Sequence, residues 1–481
     1  MRRVVVAGYG MAGARFAEEL RRREPDPERI ALTVLGEESQ RAYNRILLST
    51  VVAGSMPEES VLLHDESWAQ QHNVDLRLGV AAQRIDRSSR QVTLTDDSTV
   101  DYDALVLATG SRAFVPPIDG VRADDGDLAD GVATFRTIDD CRRIVGRAKQ
   151  GCLAVVLGGG LLGLEAARGL AGRGCRVTVV HLAGHLMERQ LDPSGGRVLR
   201  GALEAMGIEF RMGTSVAGYL PGDGVKLSDG GYLPADLLVV SAGVRAETTL
   251  AAEAGLDVAQ GVVIDDALRT SDARIHAIGD CASHPGTISG LVAPAWDQAA
   301  VLADLLSGVD PTARYRGTPV VTRLKAKGID LAALGETQIS VDAEDAEVVR
   351  VQDPARGLYA KLVLRGERVA GAIVLGAPDA AATITQLYDH GTPAPEDRLA
   401  LLLGRALPEA AAVASSPAAL PASSVICRCN TVSKADLVSA WRDGARSVDG
   451  LATATRATTG CGSCKDLVCG LADWLTSVDP A

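Results

Sequence analysis

The sequence predicts an α/β protein with two Rossmann-like dinucleotide-binding domains, a small α+β third domain and a small helical module that holds cysteines. Three observations carry this reading. The spacing Gly-x-Gly-x-x-Gly occurs twice, at Gly8, Gly10 and Gly13 and at Gly158, Gly160 and Gly163, each time between a valine-rich run and an amphipathic stretch. Short alternating or apolar runs separated by turn residues fill 318–375. Near the end of the chain Cys427, Cys429, Cys461 and Cys464 fall together.

The first element is a strand at 3–7, followed by a glycine turn, a helix at 11–23 and a second strand at 31–35, the opening of a βαβ unit. Glycines at 8, 10 and 13 let the backbone approach a pyrophosphate at the positive helix end. Glu37 follows the second strand, where an acid can bond a ribose hydroxyl. The device returns at a strand at 153–157, the turn with Gly158, Gly160 and Gly163, a helix at 161–172 bearing Glu165, and a strand at 176–180. There the end-of-strand residue is His181, neither the acid common at NAD sites nor a plain cation for a 2′-phosphate. His185 and Arg189 lie close by, so both nucleotides stay open, as does a histidine with no cofactor role.

Further on, runs at 320–324, 348–351, 358–364 and 369–375 read as strands of the third domain, with a helix after Asp379. The stretch 406–424 is dominated by Ala, Pro and Ser and reads as a linker. The module after it is too small for a generous core and calls for a metal staple. Four thiolates suit iron or zinc, the soft choices.

Composition narrows the function classes. With 481 residues and 47% apolar content the chain can build several cores. A net charge of −12 argues against nucleic acid as a partner, since neutralising phosphates needs clustered Lys and Arg. No run approaches the roughly 20 apolar residues that span a bilayer, so no membrane anchor is expected. The odd count of nine cysteines, without a secreted spacing, fits a reducing, cytoplasmic compartment. Cys141, Cys152, Cys175 and Cys281 read as buried structural thiols, and Cys469 as a packed thiol of the last helix.

Over 4–308 the chain resembles the flavoprotein reductases with two dinucleotide folds. Ala108-Thr109-Gly110, Ala242-Gly243 and Ile278-Gly279-Asp280 support the likeness. It implies FAD at the first site, NADH or NADPH at the second, and Asp280 near the flavin ribityl and phosphate region. Ala42-Tyr43-Asn44-Arg45 and 181–192 look like the reductase part of assimilatory nitrite and nitrate reductases, which implies Tyr43, Asn44 and Arg45 in the FAD pocket. Arg45 as an ordinary surface charge stays open. Pro294-Ala295-Trp296-Asp297-Gln298 resembles the helix start beside the flavin ring, although Trp296 also reads as core packing. The redox cysteines of disulfide-reducing relatives have no counterpart at 41–61.

The order Cys427-x-Cys429 then Cys461-x-x-Cys464 resembles the bacterioferritin-associated-ferredoxin-like domain, which implies a [2Fe–2S] cluster; zinc remains the other metal. Arg428, Lys434, Arg442, Arg446, Arg456 and Lys465 make this end locally basic, either to dock an acidic partner or as solvated surface. Residues 315–375 look like the C-terminal domain of rubredoxin reductases. The expected division is thus an FAD-binding domain at 1–115 and 245–312, an NAD(P)H-binding domain at 116–244, a third domain at 313–405, a linker at 406–424 and a [2Fe–2S] domain at 425–478.

Together these imply an NAD(P)H-dependent electron-transfer flavoprotein with no side chain acting as general acid or base. The resemblance is to the electron-transfer subunit of assimilatory nitrate reductase. Because the chain stops at Ala481, before the siroheme region of the nitrite reductase large subunit, the expected partner is a separate terminal reductase for nitrate or nitrite. Two alternatives stand beside it: a subunit of an amino-acid or opine dehydrogenase, and a redox sensor.

Overall fold

The structure is a computed structural model that describes residues 1–286, 288, 290–326, 328–405, 420–427, 430, 432–458 and 464–479. The chain divides into two compact units. The first comprises Met1–Arg45, Pro57–Phe114 and Gly243–Val320; the second comprises Ile46–Met56, Val115–Ala242 and Val321–Ala481.

In the first unit a parallel sheet runs in the spatial order Ile275–Ala277, Ala104–Leu107, Arg2–Ala7, Ile30–Gly36 and Val74–Leu78. Its central strand is covered on both faces, so Val4, Val5 and Val6 are all buried rather than alternating. A three-stranded antiparallel meander, Ala82–Asp86, Gln91–Leu94 and Thr99–Asp101, intervenes before Ala104–Leu107. Helices Met11–Arg23 and Val292–Ser307 belong to this unit, tied by an Arg23 Nε bond of 2.5 Å to Asp304 Oδ1.

The second unit repeats the plan. Its parallel sheet runs Val132–Thr134, Leu237–Val240, Leu153–Leu157, Arg176–His181 and Glu209–Met212. Again a three-stranded meander, here Val216–Leu220, Gly224–Leu227 and Tyr232–Pro234, precedes the strand beside the central one. The short helix Leu48–Val52 goes with this unit: Arg173 Nη2 donates to Val51 O at 3.3 Å, and a Cβ on Gly169 would stand 3.3 Å from Val52.

A third sheet of five antiparallel strands runs Val321–Ala326, Ile329–Gly335, Arg368–Leu375, Leu358–Arg365 and Glu347–Asp353. Helix Pro378–His390 packs its Ile384 and Leu387 into the core of that sheet. The strand Ile329–Gly335 has no counterpart among the sequence-based expectations. Its alanines lack strand preference, and pairing on both sides supplies what they do not.

The last module has a two-stranded ribbon, Val425–Cys427 with Val432–Ser433, and helices Lys434–Arg442, Val448–Thr455 and Lys465–Val478. Ser433 and Asp436 form a capping box at the first helix, worth about 1 kcal/mol. Leu437, Trp441, Leu451, Val468, Leu471 and Leu475 are among its buried apolar residues. Of the expected linker 406–424, residues 406–419 lie outside the described residues. No described helix is long and apolar enough to cross a membrane.

Candidate functional site

The first glycine turn is shaped by steric necessity. A Cβ on Gly8, at φ +118°, would lie 2.2 Å from Ala108 O, and one on Gly13 would lie 1.9 Å from Gly8 O. Gly10 forms the N-cap of helix Met11–Arg23 with no side-chain cap, so backbone N–H groups are presented to a ligand. Glu37 follows the second strand directly; its carboxylate is well exposed and lies 3.4 Å from Arg112 Nη2.

Asp280 sits in the single turn Gly279–Cys281 and accepts from Ser111 Oγ at 2.9 Å. That turn abuts the first helix, because a Cβ on Gly279 would meet Ala12 at 2.8 Å. Gln298 Oε1 accepts from Gly279 N–H at 2.8 Å, anchoring the turn to helix Val292–Ser307. Trp296, on the same helix, is buried, and its indole N–H has no partner among the described residues. An orphaned buried donor of this kind suits a polar ligand at this place. Arg15 stacks over the Trp296 ring, 5.6 Å from its centroid.

Thr109 Oγ1 donates to Glu247 O at 2.8 Å, and Gly110, at φ +73°, accepts from Glu247 N–H at 2.9 Å. Gly243, at φ +103°, accepts from Phe114 N–H at 2.9 Å. These residues shape the crossing between Ser111–Ala113 and Val244–Ala246, which pair as an antiparallel ribbon. Asn44 is fully buried, and its N–H donates to Val61 O at 2.7 Å. Arg45 pairs with Glu38 and lies over the Tyr43 ring, while Tyr43 Oη donates to Glu38 Oε2 at 2.6 Å. Arg45 is thus held between Glu38 and the Tyr43 ring.

The second glycine turn copies the first. A Cβ on Gly158 would meet Ser241 O at 2.1 Å, one on Gly163 would meet Gly158 O at 2.0 Å, and around Gly160 the space is open. Gly160 again caps a helix, Leu161–Gly172, without a side chain. Glu165 is buried on that helix. His181 is buried as well: its Nδ1 accepts from Gly159 N–H at 3.0 Å and its Nε2 lies 3.0 Å from Glu188 Oε2. The ring therefore braces the turn from below, a role that spacing alone did not reveal.

In the cysteine module, Cys427 and Cys464 are buried, whereas Cys429 and Cys461 lie outside the described residues. Among the described residues no three His, Cys, Asp or Glu side chains converge on a metal position. Cys464 Sγ accepts from Thr458 N–H at 3.3 Å. Arg456 and Thr458 both stand at positive φ, +63° and +68°, and it is this double left-handed turn that aims the amide at sulfur. An N–H···S bond stabilises thiolate charge, the condition for holding iron. Lys434 belongs to the interior here, donating to Leu420 O at 2.8 Å and lying over Trp474. Arg442 and Arg446 lie near Asp479, at 3.5 and 3.8 Å, with the Arg442 side chain largely exposed. Arg428 lies outside the described residues. Cys141, Cys152, Cys175 and Cys281 are all buried, and Cys469 is partly so.

Residues 2–299 match the family model described as pyridine nucleotide-disulphide oxidoreductase. The chain belongs to that family. The oxidoreductase also matches a rubredoxin NAD+ reductase C-terminal domain over 320–392 and a BFD-like [2Fe–2S] binding domain over 425–471. The family and domain matches support FAD, NAD(P)H and a [2Fe–2S] cluster as the groups these domains hold. A nitrite reductase [NAD(P)H] of Bacillus subtilis (strain 168) is 37% identical over 97% of the chain and 57% of its own length. From the same organism, an assimilatory nitrate reductase electron transfer subunit is 34% identical over 99% of the chain and 60% of its own length. The oxidoreductase thus spans little more than half the length of these curated relatives. Among solved structures, a covalent putidaredoxin reductase–putidaredoxin complex superposes with TM-score 0.74 and 27% identity, over 84% of the chain and 95% of that structure's chain.

Proposed function

We propose that the chain carries reducing equivalents from NADH or NADPH, by way of FAD and the [2Fe–2S] cluster, to a terminal reductase. The acceptor in this reading is the catalytic subunit of assimilatory nitrate reductase, or nitrite reductase. The observation that carries it is the order of parts: two nucleotide folds followed, in one chain, by a module with the Cys427-x-Cys429 and Cys461-x-x-Cys464 pairs. Nicotinamide supplies a hydride, a cluster takes single electrons, and a flavin converts between the two.

The chain's own residues bind, orient and shield. Gly8, Gly10, Gly13 and Glu37, with Asn44, Arg45, Thr109, Gly110, Asp280 and Trp296, would hold FAD. Gly158, Gly160, Gly163, Glu165, His181 and Gly243 would serve NAD(P)H. Cys427, Cys429, Cys461 and Cys464 would hold the cluster, with the Thr458 amide spreading charge from Cys464. The names of the two Bacillus relatives support nitrogen assimilation as the setting.

Anaerobic titration of the purified protein with NADH tests the route. Bleaching of the flavin band followed by a one-electron [2Fe–2S] resonance signal is the expected result; bleaching without that signal refutes it. For the acceptor, NADH-driven formation of nitrite or ammonium after mixing with the catalytic reductases is the measurement.

A further inference from the structure

His181 closes the second strand of the nucleotide-binding βαβ unit, where an acid would ordinarily meet the adenosine ribose. Its ring cannot take that part. Because Nδ1 accepts from Gly159 N–H, the ring is the neutral tautomer with its proton on Nε2, and that proton is directed at Glu188 Oε2, 3.0 Å away. Gly159 has room for nothing larger, since a Cβ there would stand 2.7 Å from the ring.

The loop that carries Glu188 is stitched to the same glycine turn a second time. Met187, buried and at φ +51°, donates its N–H to Gly159 O at 3.0 Å. Gln338 Nε2 then donates to the backbone oxygens of Glu188 and Leu191, at 3.3 and 3.1 Å. Gly159 O thus holds the residue before Glu188, and Gly159 N–H holds the His181 ring that meets the Glu188 carboxylate, so the carboxylate is fixed one imidazole away from the turn that would receive the pyrophosphate. Its side chain is 39% exposed, against 9% for His181, so it reaches solvent where the histidine does not.

We propose that Glu188 substitutes for the missing end-of-strand acid: with one oxygen held by His181, the carboxylate accepts from the ribose 2′-hydroxyl and selects NADH over NADPH. The inference rests on the second glycine site holding a pyridine nucleotide. His181 is then a positioning residue. A 2′-phosphate would bring its charge against that of Glu188, and repulsion at close range costs more than a lost hydrogen bond. Exposed Arg189 is the competing cation, while His185 is turned away by its Nε2 contact with Leu191 O at 3.1 Å.

Calorimetric titration of the full-length flavin-loaded protein with NAD+, NADP+ and 2′-deoxy-NAD+ tests this. The native protein should prefer NAD+ to NADP+ by at least about tenfold and lose about tenfold for the 2′-deoxy analogue. Glu188→Gln should weaken NAD+ by about tenfold and abolish the 2′-hydroxyl dependence, and Glu188→Lys should turn the preference to NADP+. Unchanged flavin absorbance and melting temperature establish that the variants fold. Unaltered NAD+ affinity in Glu188→Gln, or a native preference for NADP+, overturns the role of Glu188 alone. A native protein that binds none of the three nucleotides overturns the reading of the site as well.

Discussion

Thr458 stands at φ +68°, a region that suits glycine and strains a β-branched residue. The strain coincides with an amide that reaches Cys464, so it belongs to the site and not to an idle turn. Thr458→Gly should keep the N–H···S bond while relieving the backbone, stabilising the module by up to about 1 kcal/mol. Thermal unfolding together with the visible cluster absorbance checks both halves of that statement. His276 offers a second test. Burial holds its imidazole down to about 4 from the ordinary 6.5, and Nδ1 has no partner among the described residues. Between those two values the unfolded chain binds a proton that the folded chain refuses. Its contribution is therefore fully present above about pH 6.5 and is lost as pH falls toward 4, amounting to about 3 kcal/mol at most. His276→Leu should flatten the acid limb of a stability-against-pH curve by that amount, measured by denaturant unfolding. At this scale the glycine turns were legible, because tight turns impose local requirements, as was the place of Glu37 directly after a strand. His181 was not, since its meaning depends on Gly159 and Glu188, which folding alone brings to it.

Among the elements, valine-rich strands and their following helices were readable to within a residue or two. Helices Met11–Arg23 and Leu161–Gly172 match their sequence-based limits, as glycine turns before them leave little freedom in where they start. Strand Ile329–Gly335 is not marked by its own residues; it forms a hairpin with the preceding Val321–Ala326, and its other neighbour, Arg368–Leu375, comes from about forty residues further along the chain. Equally invisible in sequence was the tie between helix Pro193–Glu204 and strand Leu358–Arg365. Asp192 caps that helix through Gly195 N–H at 2.9 Å and also accepts from Tyr359 Oη at 2.5 Å and Lys361 Nζ at 3.1 Å. Burial alone would raise the Asp192 carboxyl, but the Gly195, Tyr359 and Lys361 contacts hold it below its ordinary value. Lys361 is itself buried and has one further bond, to Thr337 O at 3.0 Å. Lys361→Met should leave the Asp192 charge undercompensated and destabilise the second unit by about 3 kcal/mol. A lower denaturant midpoint for that unit's transition, with flavin content unchanged, is the outcome to look for.

Taken whole, the chain presents one sheet plan twice. In each parallel sheet the central strand is flanked by the same succession, and a three-stranded meander occupies the same place between the third strand and the central strand's other neighbour. The two glycine turns agree even in their forbidden distances, 2.2 and 1.9 Å in the first against 2.1 and 2.0 Å in the second. The same steric requirement thus governs both turns, while the end-of-strand residues differ, Glu37 in one and His181 in the other. Each half can accordingly serve as the other's matched control. Gly13→Ala and Gly163→Ala introduce the same collision with a carbonyl oxygen in sister settings, and the first should deplete bound flavin while the second weakens pyridine-nucleotide affinity. Comparing the two losses, by absorbance in one case and titration in the other, separates what the turn geometry itself demands from what each site asks of it.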